Sequence, residues 1–249
     1  TDDYNGDFNE IKNNLNMCID AVNGLVAEAK MLTEAAVEGK LDVRGDGEKF
    51  HGDYRGIVEG VNATLDAVIG PLNVSAEYID RISKGDIPEK ITDEYNGDFN
   101  EIKNNLNMCI DAINGLSNEA LLLVDASIKG DLEVRGDADK FHGDYNKIIK
   151  GVNTTVDTLV GHIDSVPTPV MIIDKEYSIR FMNKAGIDLL GTTAEQLKGK
   201  KCYDQFKTSD CQTKDCACAR AMSTNDKAIS ETDAHPNGMD MEISYSGVS

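Results

Sequence analysis

At 249 residues with a net charge of −19, the chain lacks the clustered Lys and Arg on which phosphate binding is built, which argues against a nucleic-acid partner. No run approaches the roughly 18 apolar residues that span a bilayer, and no basic start, apolar stretch and small-residue cleavage site opens the sequence. The chain as given therefore reads as soluble, cytoplasmic and free of membrane contact. Its first residue, Thr1, fits a piece of a longer protein that could still be membrane-anchored. Residues 1–162 hold 31 of the 44 acidic side chains, so the acidity belongs to that part, as expected of solvated helix faces. Trp is absent and aromatic residues make up 6 %, which suits thin helical layers better than one large core.

An aromatic residue followed by Gly-Asp and a seam of apolar residues occurs four times, beginning at Tyr4, Phe50, Tyr95 and Phe141. The copies at Tyr4 and Tyr95 are identical through Ile19 and Ile110, and those at Phe50 and Phe141 form a second pair, so the order alternates at 45 or 46 residues per step. A fixed period of this length means one supersecondary unit stacked on itself. In the first copy the seam reads Phe8, Ile11, Leu15, Cys18, Val22, Leu25, Ala29, Leu32 and Ala36, and in the third Phe99, Ile102, Leu106, Cys109, Ile113, Leu116, Ala120 and Leu123. The second runs from Tyr54 through Ile57, Val61, Thr64 and Val68, and the fourth from Tyr145 to Val166. Spacings that alternate 3 and 4 mark a heptad seam on helices of about 30 residues. Cys18 and Cys109 fill seam positions as small buried hydrophobes, Thr64 and Thr155 as packed polar groups, and His51 and His142 are expected at the surface.

Asp7 with Glu10, and Asp98 with Glu101, are spaced as capping boxes. Gly39, Gly85 and Gly130 suit left-handed C-terminal caps. Between each end and the next start lie about a dozen polar residues with two spaced hydrophobes: Leu41 and Val43, Ile87 and Ile91, Leu132 and Val134. A connector of that length lets the next helix return parallel, with the two hydrophobes tucked into the bundle.

A helix, a Gly, a connector with two hydrophobes and a second seam helix resembles the HAMP domain, a signal-relay module of prokaryotic receptors. Gly70-Pro71-Leu72 looks like the proline of its first helix, and Asp80 to Pro88 like that helix running into its connector. The resemblance implies a mostly α chain of concatenated parallel dimeric four-helix coiled-coil bundles: a half unit over 1–24, then units over 25–70, 71–116 and 117–162. Only the middle unit carries the proline, and Gly-Asp replaces the Glu that usually opens the second helix, as in divergent poly-HAMP arrays. A long coiled-coil rod is the plain alternative.

After the last seam the period changes. Val166 to Asp174 is a short apolar run, Asp174-Lys175-Glu176 a hairpin turn, and Tyr177 to Asn183 alternates as a strand. Short helices follow over 183–191, 194–197 and 203–206, with later strands over 229–232 and 239–245. The series resembles a small α+β PAS sensor domain over 163–249, with Asn183-x-Ala185 after the second strand and Gly199-Lys200-Lys201-Cys202-Tyr203-Asp204 beyond it. Four of its five strands can be placed.

Cys202, Cys211, Cys216 and Cys218 crowd into 17 residues. They fit a zinc ion or an iron–sulfur cluster, redox thiols, or structural cysteines. Haem would need an axial His, and the only one after residue 163 is His235, so haem is not expected. No phosphate-binding loop, Gly-x-Ser-x-Gly elbow or kinase histidine box is present, and no catalysis is expected. The resemblances imply a homodimeric receptor region in which PAS input drives two-state repacking of the HAMP bundles. A chemotaxis-type output, such as a methyl-accepting domain with its kinase complex, would lie beyond the chain. The alternatives are a passive spacer rod and a metal or redox protein using the cysteines.

Overall fold

The computed structural model describes residues 5–248, so the repeat start at Tyr4 and the terminal Ser249 lie outside it. The chain divides between Ile110 and Asp111 into two compact units. Four long helices come first: α1 (Asp7–Val37), α2 (Asp53–Ser83), α3 (Gly97–Ile128) and α4 (Gly143–Asp164). Val166, expected as the last seam residue of α4, falls beyond its end.

Gly6, Gly52, Gly97 and Gly143 all stand at φ between 56° and 59°, and at Gly6 and Gly52 ψ is −138°. Only glycine adopts that backbone without strain, which explains the Gly of every Gly-Asp pair. This also corrects the capping box at the first start. Gly6 itself is the N-cap of α1, with no side-chain cap hydrogen bond, and Asp7 and Glu10 are acidic residues in the first turn, where they favour the helix dipole. The helix ends fall as read from the sequence. Lys40, Asp86 and Asp131 donate backbone N–H bonds back to Ala35, Arg81 and Ala126, the six-to-one bond of a Schellman motif closed by Gly39, Gly85 and Gly130.

Within the first unit the connector runs down α1 before α2 climbs beside it. Phe50 stands against Gly24, where a Cβ would lie 3.1 Å from its ring, while Gly45, earlier in the connector, lies between Leu32 and Val58. Positions therefore rise together along α1 and α2, and the helices are parallel. The second unit repeats this, with Phe141 on Gly115, and Gly136 beside Leu123 and Ile149.

The hydrophobes expected to anchor the connectors are only part of that anchoring. Leu41 is exposed and Val43 and Val134 are half-buried, whereas Phe50 and Phe141 are 5 % and 8 % exposed. A phenyl ring removes far more apolar surface from water than a connector Val does, so the aromatic that opens each repeat is the main anchor. In the middle connector Ile91 is buried, as expected, and Tyr95 is half-buried.

The seam residues expected on α1 and α2 are left in the open. Phe8, Ile11, Leu15 and Val22, with Ile57, Val61, Val68 and Leu72, are each 42–70 % exposed. Cys18 is exposed and Leu25 half-buried; on α3, Phe99, Ile102, Leu106, Cys109, Ile113 and Leu116 are half-buried. What the chain buries is chiefly the neighbouring stripe that meets the connector, Val58 and Ile69 on α2, Ile110 on α3 and Ile149 on α4, together with the seam residue Leu123 toward the end of α3.

After α4 the chain forms a hairpin of β1 (Met171–Ile173) and β2 (Ile179–Met182), then α5 (Lys184–Leu190), α6 (Ala194–Leu197), α7 (Cys202–Phe206) and α8 (Ala217–Thr224). A second hairpin, β3 (Ala228–Ala234) and β4 (Met241–Gly247), closes the series. Both hairpins are antiparallel and form separate two-stranded sheets. Ile179, Met182, Leu190 and Leu197 make the core, with Met171, Ile187, Cys202 and Phe206 packed on it.

Candidate functional site

Two constructions stand out, one repeated along the helices and one in the α+β domain. In the first, a buried carboxylate staples the connector. Glu28 on α1 is 7 % exposed; its Oε1 accepts from Lys49 Nζ at 2.7 Å and its Oε2 from the Asp46 N–H at 3.1 Å. A buried charge is tolerated only when paired and hydrogen-bonded, and both conditions are met. The Lys49 bond, then the Asp46 N–H, hold the Glu28 carboxyl below its ordinary value of 4.5. Ninety-one residues on, Glu119 makes the same contacts with Lys140 at 2.7 Å and the Asp137 N–H at 3.0 Å.

A second clamp comes from the returning helix. The Asn62 side chain accepts the Gly45 N–H and donates to its carbonyl, both at 2.8 Å. Asn153 holds Gly136 in the same way at 2.9 Å, and Asn107 holds Ile91 at 2.8 and 3.0 Å. One amide thus satisfies both polar groups of a backbone residue that no sheet or helix serves. Arg44 adds bonds to the Leu41 and Val43 carbonyls and to Asp66, and Arg135 copies it with Leu132, Val134 and Asp157. None of these polar residues was singled out in the sequence. The available signal was that Asn recurs eight places after the first seam aromatic in all four copies, and that Glu, Lys and Arg repeat at 91.

In the α+β domain, Cys202, Cys211, Cys216 and Cys218 all line one cavity, together with Met171, Leu189, Phe206, Ile243 and Tyr245. Cys202 comes from the first turn of α7, Cys211 from the loop after it, and Cys216 and Cys218 from the start of α8. All six cysteines of the chain are free thiols. Burial, then the neighbouring thiol of Cys218, pushes Cys202 up to about 12; burial, then Cys216, pushes Cys218 up to about 11. Cys211 lies 3.2 Å from Thr208 Oγ1, and the Tyr245 hydroxyl accepts the Ala217 N–H at 3.2 Å. Among the described residues no three Cys, His, Asp or Glu side chains stand together as a metal-holding group. The four thiols share a cavity without forming a ready tetrahedron.

The cavity wall takes in only part of the apolar residues of β1, β2 and α5. Met171 and Leu189 line it, while Leu190 belongs to the core and Phe181 faces a groove on another side. His235 is tied up elsewhere, its Nδ1 2.8 Å from Asp240 and its Nε2 3.0 Å from Asp233. Those carboxylates, Asp240 first, raise its pKa above the ordinary 6.5.

Comparison with known families finds a match in the helical part of the chain and another in the α+β part. A family model described as HAMP domain matches residues 1–24 and 49–115, and one described as PAS fold matches residues 163–244. No curated protein and no solved structure matches the chain. Among the described residues no helix is long and apolar enough to cross a membrane. Helices built on seam and connector, followed by a sensor-type α+β domain, make this chain the HAMP-plus-PAS region of a sensor signal-transduction protein.

Proposed function

We propose that the chain senses through its PAS domain and relays the signal by two-state repacking of concatenated HAMP units in a parallel homodimer. The output is of chemotaxis type, a methyl-accepting domain with its kinase complex, in the cytoplasm. On this reading the units run over 25–70, 71–116 and 117–162 after a half unit at 1–24, and the chain itself turns over no substrate. The observation that carries it is the open seam. Eight large apolar side chains at heptad positions of α1 and α2 are exposed in a single chain, and heptad faces of this length are stable when a second copy covers them. A spacer rod would share the seam, but it would not need connectors stapled by buried Glu28 and Glu119.

Seam residues meet their own equivalents only when coiled-coil helices run parallel. Mild oxidation is therefore expected to cross-link Cys18 to Cys18 and Cys109 to Cys109 across the dimer, read by non-reducing electrophoresis and peptide mass mapping. A monomer at micromolar concentration, or failure of both cross-links, would overturn the parallel dimer.

The convergence of Cys202, Cys211, Cys216 and Cys218 on one cavity supports a second assignment, that these thiols are the input site. The thiols are soft donors of the kind that suit zinc or iron–sulfur iron, and a soft metal is one ligand they would take. Otherwise the site works by redox: two thiols give two electrons and two protons to a peroxide, forming a disulfide and two waters. Metal analysis of anaerobically purified protein and thiol counting are expected to show either bound metal or the loss of two thiols per chain with peroxide. Metal-free protein whose PAS thiols stay free after peroxide would sink this assignment.

A further inference from the structure

The C-terminal cap of α3 differs from its repeat equivalents in what lies above it. Around Gly39 and Gly85 a Cβ would find nothing within 4 Å, whereas at Gly130 it would collide with Ile172 Cγ2 and lie 3.6 Å from Arg180 Cβ. Strands β1 and β2 of the PAS domain therefore rest directly on this cap. The next residue, Asp131, accepts from Lys198 Nζ at 2.9 Å, and Glu133 stands 3.5 Å from the same ammonium. Side-chain exposure at this pair is 39 % for Lys198 and 20 % for Asp131, so water is partly excluded. At the matching place in the first connector Lys40 turns instead to its neighbour Glu38. Beside the contact a groove is walled by Leu132, Arg135 and Val160 on one side and by Phe181, Met182 and Ile187 on the other.

From these contacts we infer that the connector segment 130–133 is a docking surface for the chain's own PAS domain, seated by the Gly130–Ile172 contact and oriented by Lys198 between Asp131 and Glu133. The PAS domain is also fastened to the end of α4, since Asn183 binds the Ile163, Val166 and Thr168 carbonyls and the Lys184 N–H bonds to Asp164. It therefore touches both the connector and the helix that follows it. Any sliding of one against the other has to move the PAS domain or release the Lys198 contact. The docking rests on intrachain contacts alone and stands whether or not the chain dimerises.

Hydrogen exchange on the full chain tests it. Gly39 and Gly130 share nearly the same φ, 75° and 74°, so Gly39→Ala reports the backbone strain alone and Gly130→Ala the strain plus the clash with Ile172. Gly130→Ala is expected to speed exchange in residues 171–173, which Gly39→Ala leaves unchanged. Lys198→Glu sets like charges against Asp131 and Glu133 and is expected to speed exchange in residues 130–134 by about fivefold, the upper range for a partly exposed pair. Adding Asp131→Lys to Lys198→Glu is expected to restore most of the protection. If Lys198→Glu leaves 130–134 unchanged, or Gly130→Ala affects 171–173 no more than Gly39→Ala does, the docking surface is refuted.

Discussion

Asn183→Asp is expected to destabilise the PAS domain more than Asn183→Ala does, although it alters the shape of the side chain least. Asn183 is fully buried. Its Oδ1 accepts the Val170 N–H at 2.8 Å and the Gly186 N–H at 3.1 Å, and its Nδ2 faces the carbonyls of Ile163, Val166 and Thr168 at 3.0–3.2 Å. Alanine vacates room for a water among those polar groups, so few of them stay unpaired and the cost is about 1–3 kcal/mol. Aspartate turns the donor into a second acceptor aimed at three carbonyl oxygens, an uncompensated buried charge that costs about 3–5 kcal/mol. The pH dependence carries the signature. Such a carboxyl has its folded-state pKa raised above the unfolded value of about 3.9, so the penalty is smallest below that pH and grows as pH rises through the folded pKa. Denaturant unfolding of wild type and both variants at pH 4 and pH 7 reads this directly. If Asn183→Asp proves no weaker than Asn183→Ala at pH 7, the assigned amide orientation is contradicted.

Asn183 illustrates what the sequence makes legible. Its place after the second strand, before Lys184 and Ala185, is a local pattern, and local patterns survive into the fold. So do the heptad spacings and the glycine caps of the long helices, because backbone geometry and helical period are set by near neighbours. The strands over 229–232 and 239–245 emerge as β3 and β4 for the same reason. The convergence of Cys202 with Cys216 and Cys218 was partly legible too, since crowding in sequence shortens any path between thiols.

What was hidden depends on partners distant in sequence. Glu28 reads as one more solvated acid on an acidic helix until Lys49 and the Asp46 N–H arrive beside it. The Asn62 amide reads as a polar seam neighbour until the connector lays Gly45 across it. Leu41 looked a better anchor than it is because hydropathy counts a side chain's composition and not where a descending chain presses it. The groove between connector and PAS domain has no sequence signal, since Lys198 and Asp131 are 67 residues apart. The open seam was legible as a pattern, while its exposure emerged only with the fold of one chain.

The largest expected effect on the relay helices is at the connector aromatic. Phe141→Ala should destabilise the unit containing α4 by about 3–5 kcal/mol, the range for removing a buried phenyl ring whose cavity only partly collapses. Phe141 is 8 % exposed and packs with Ala138 and Ile149, with Leu116 against the same cluster. Its ring also occupies the hollow that Gly115 leaves, where an added Cβ would sit 3.0 Å away. Gly115→Ala alone is therefore expected to cost about 1–3 kcal/mol through overpacking. Combining Gly115→Ala with Phe141→Leu should cost less than the sum of the two single changes, because the shorter side chain vacates the space the methyl needs. Phe50→Ala should mirror Phe141→Ala in the first unit, since Gly24 receives the Phe50 ring at 3.1 Å. Denaturant unfolding gives the energies, and hydrogen exchange in residues 131–141 shows whether the connector has detached. A Phe141→Ala loss below about 1 kcal/mol, well under the usual range for such a cavity, would return the anchoring role to Leu132 and Val134, the pair that sequence spacing favours.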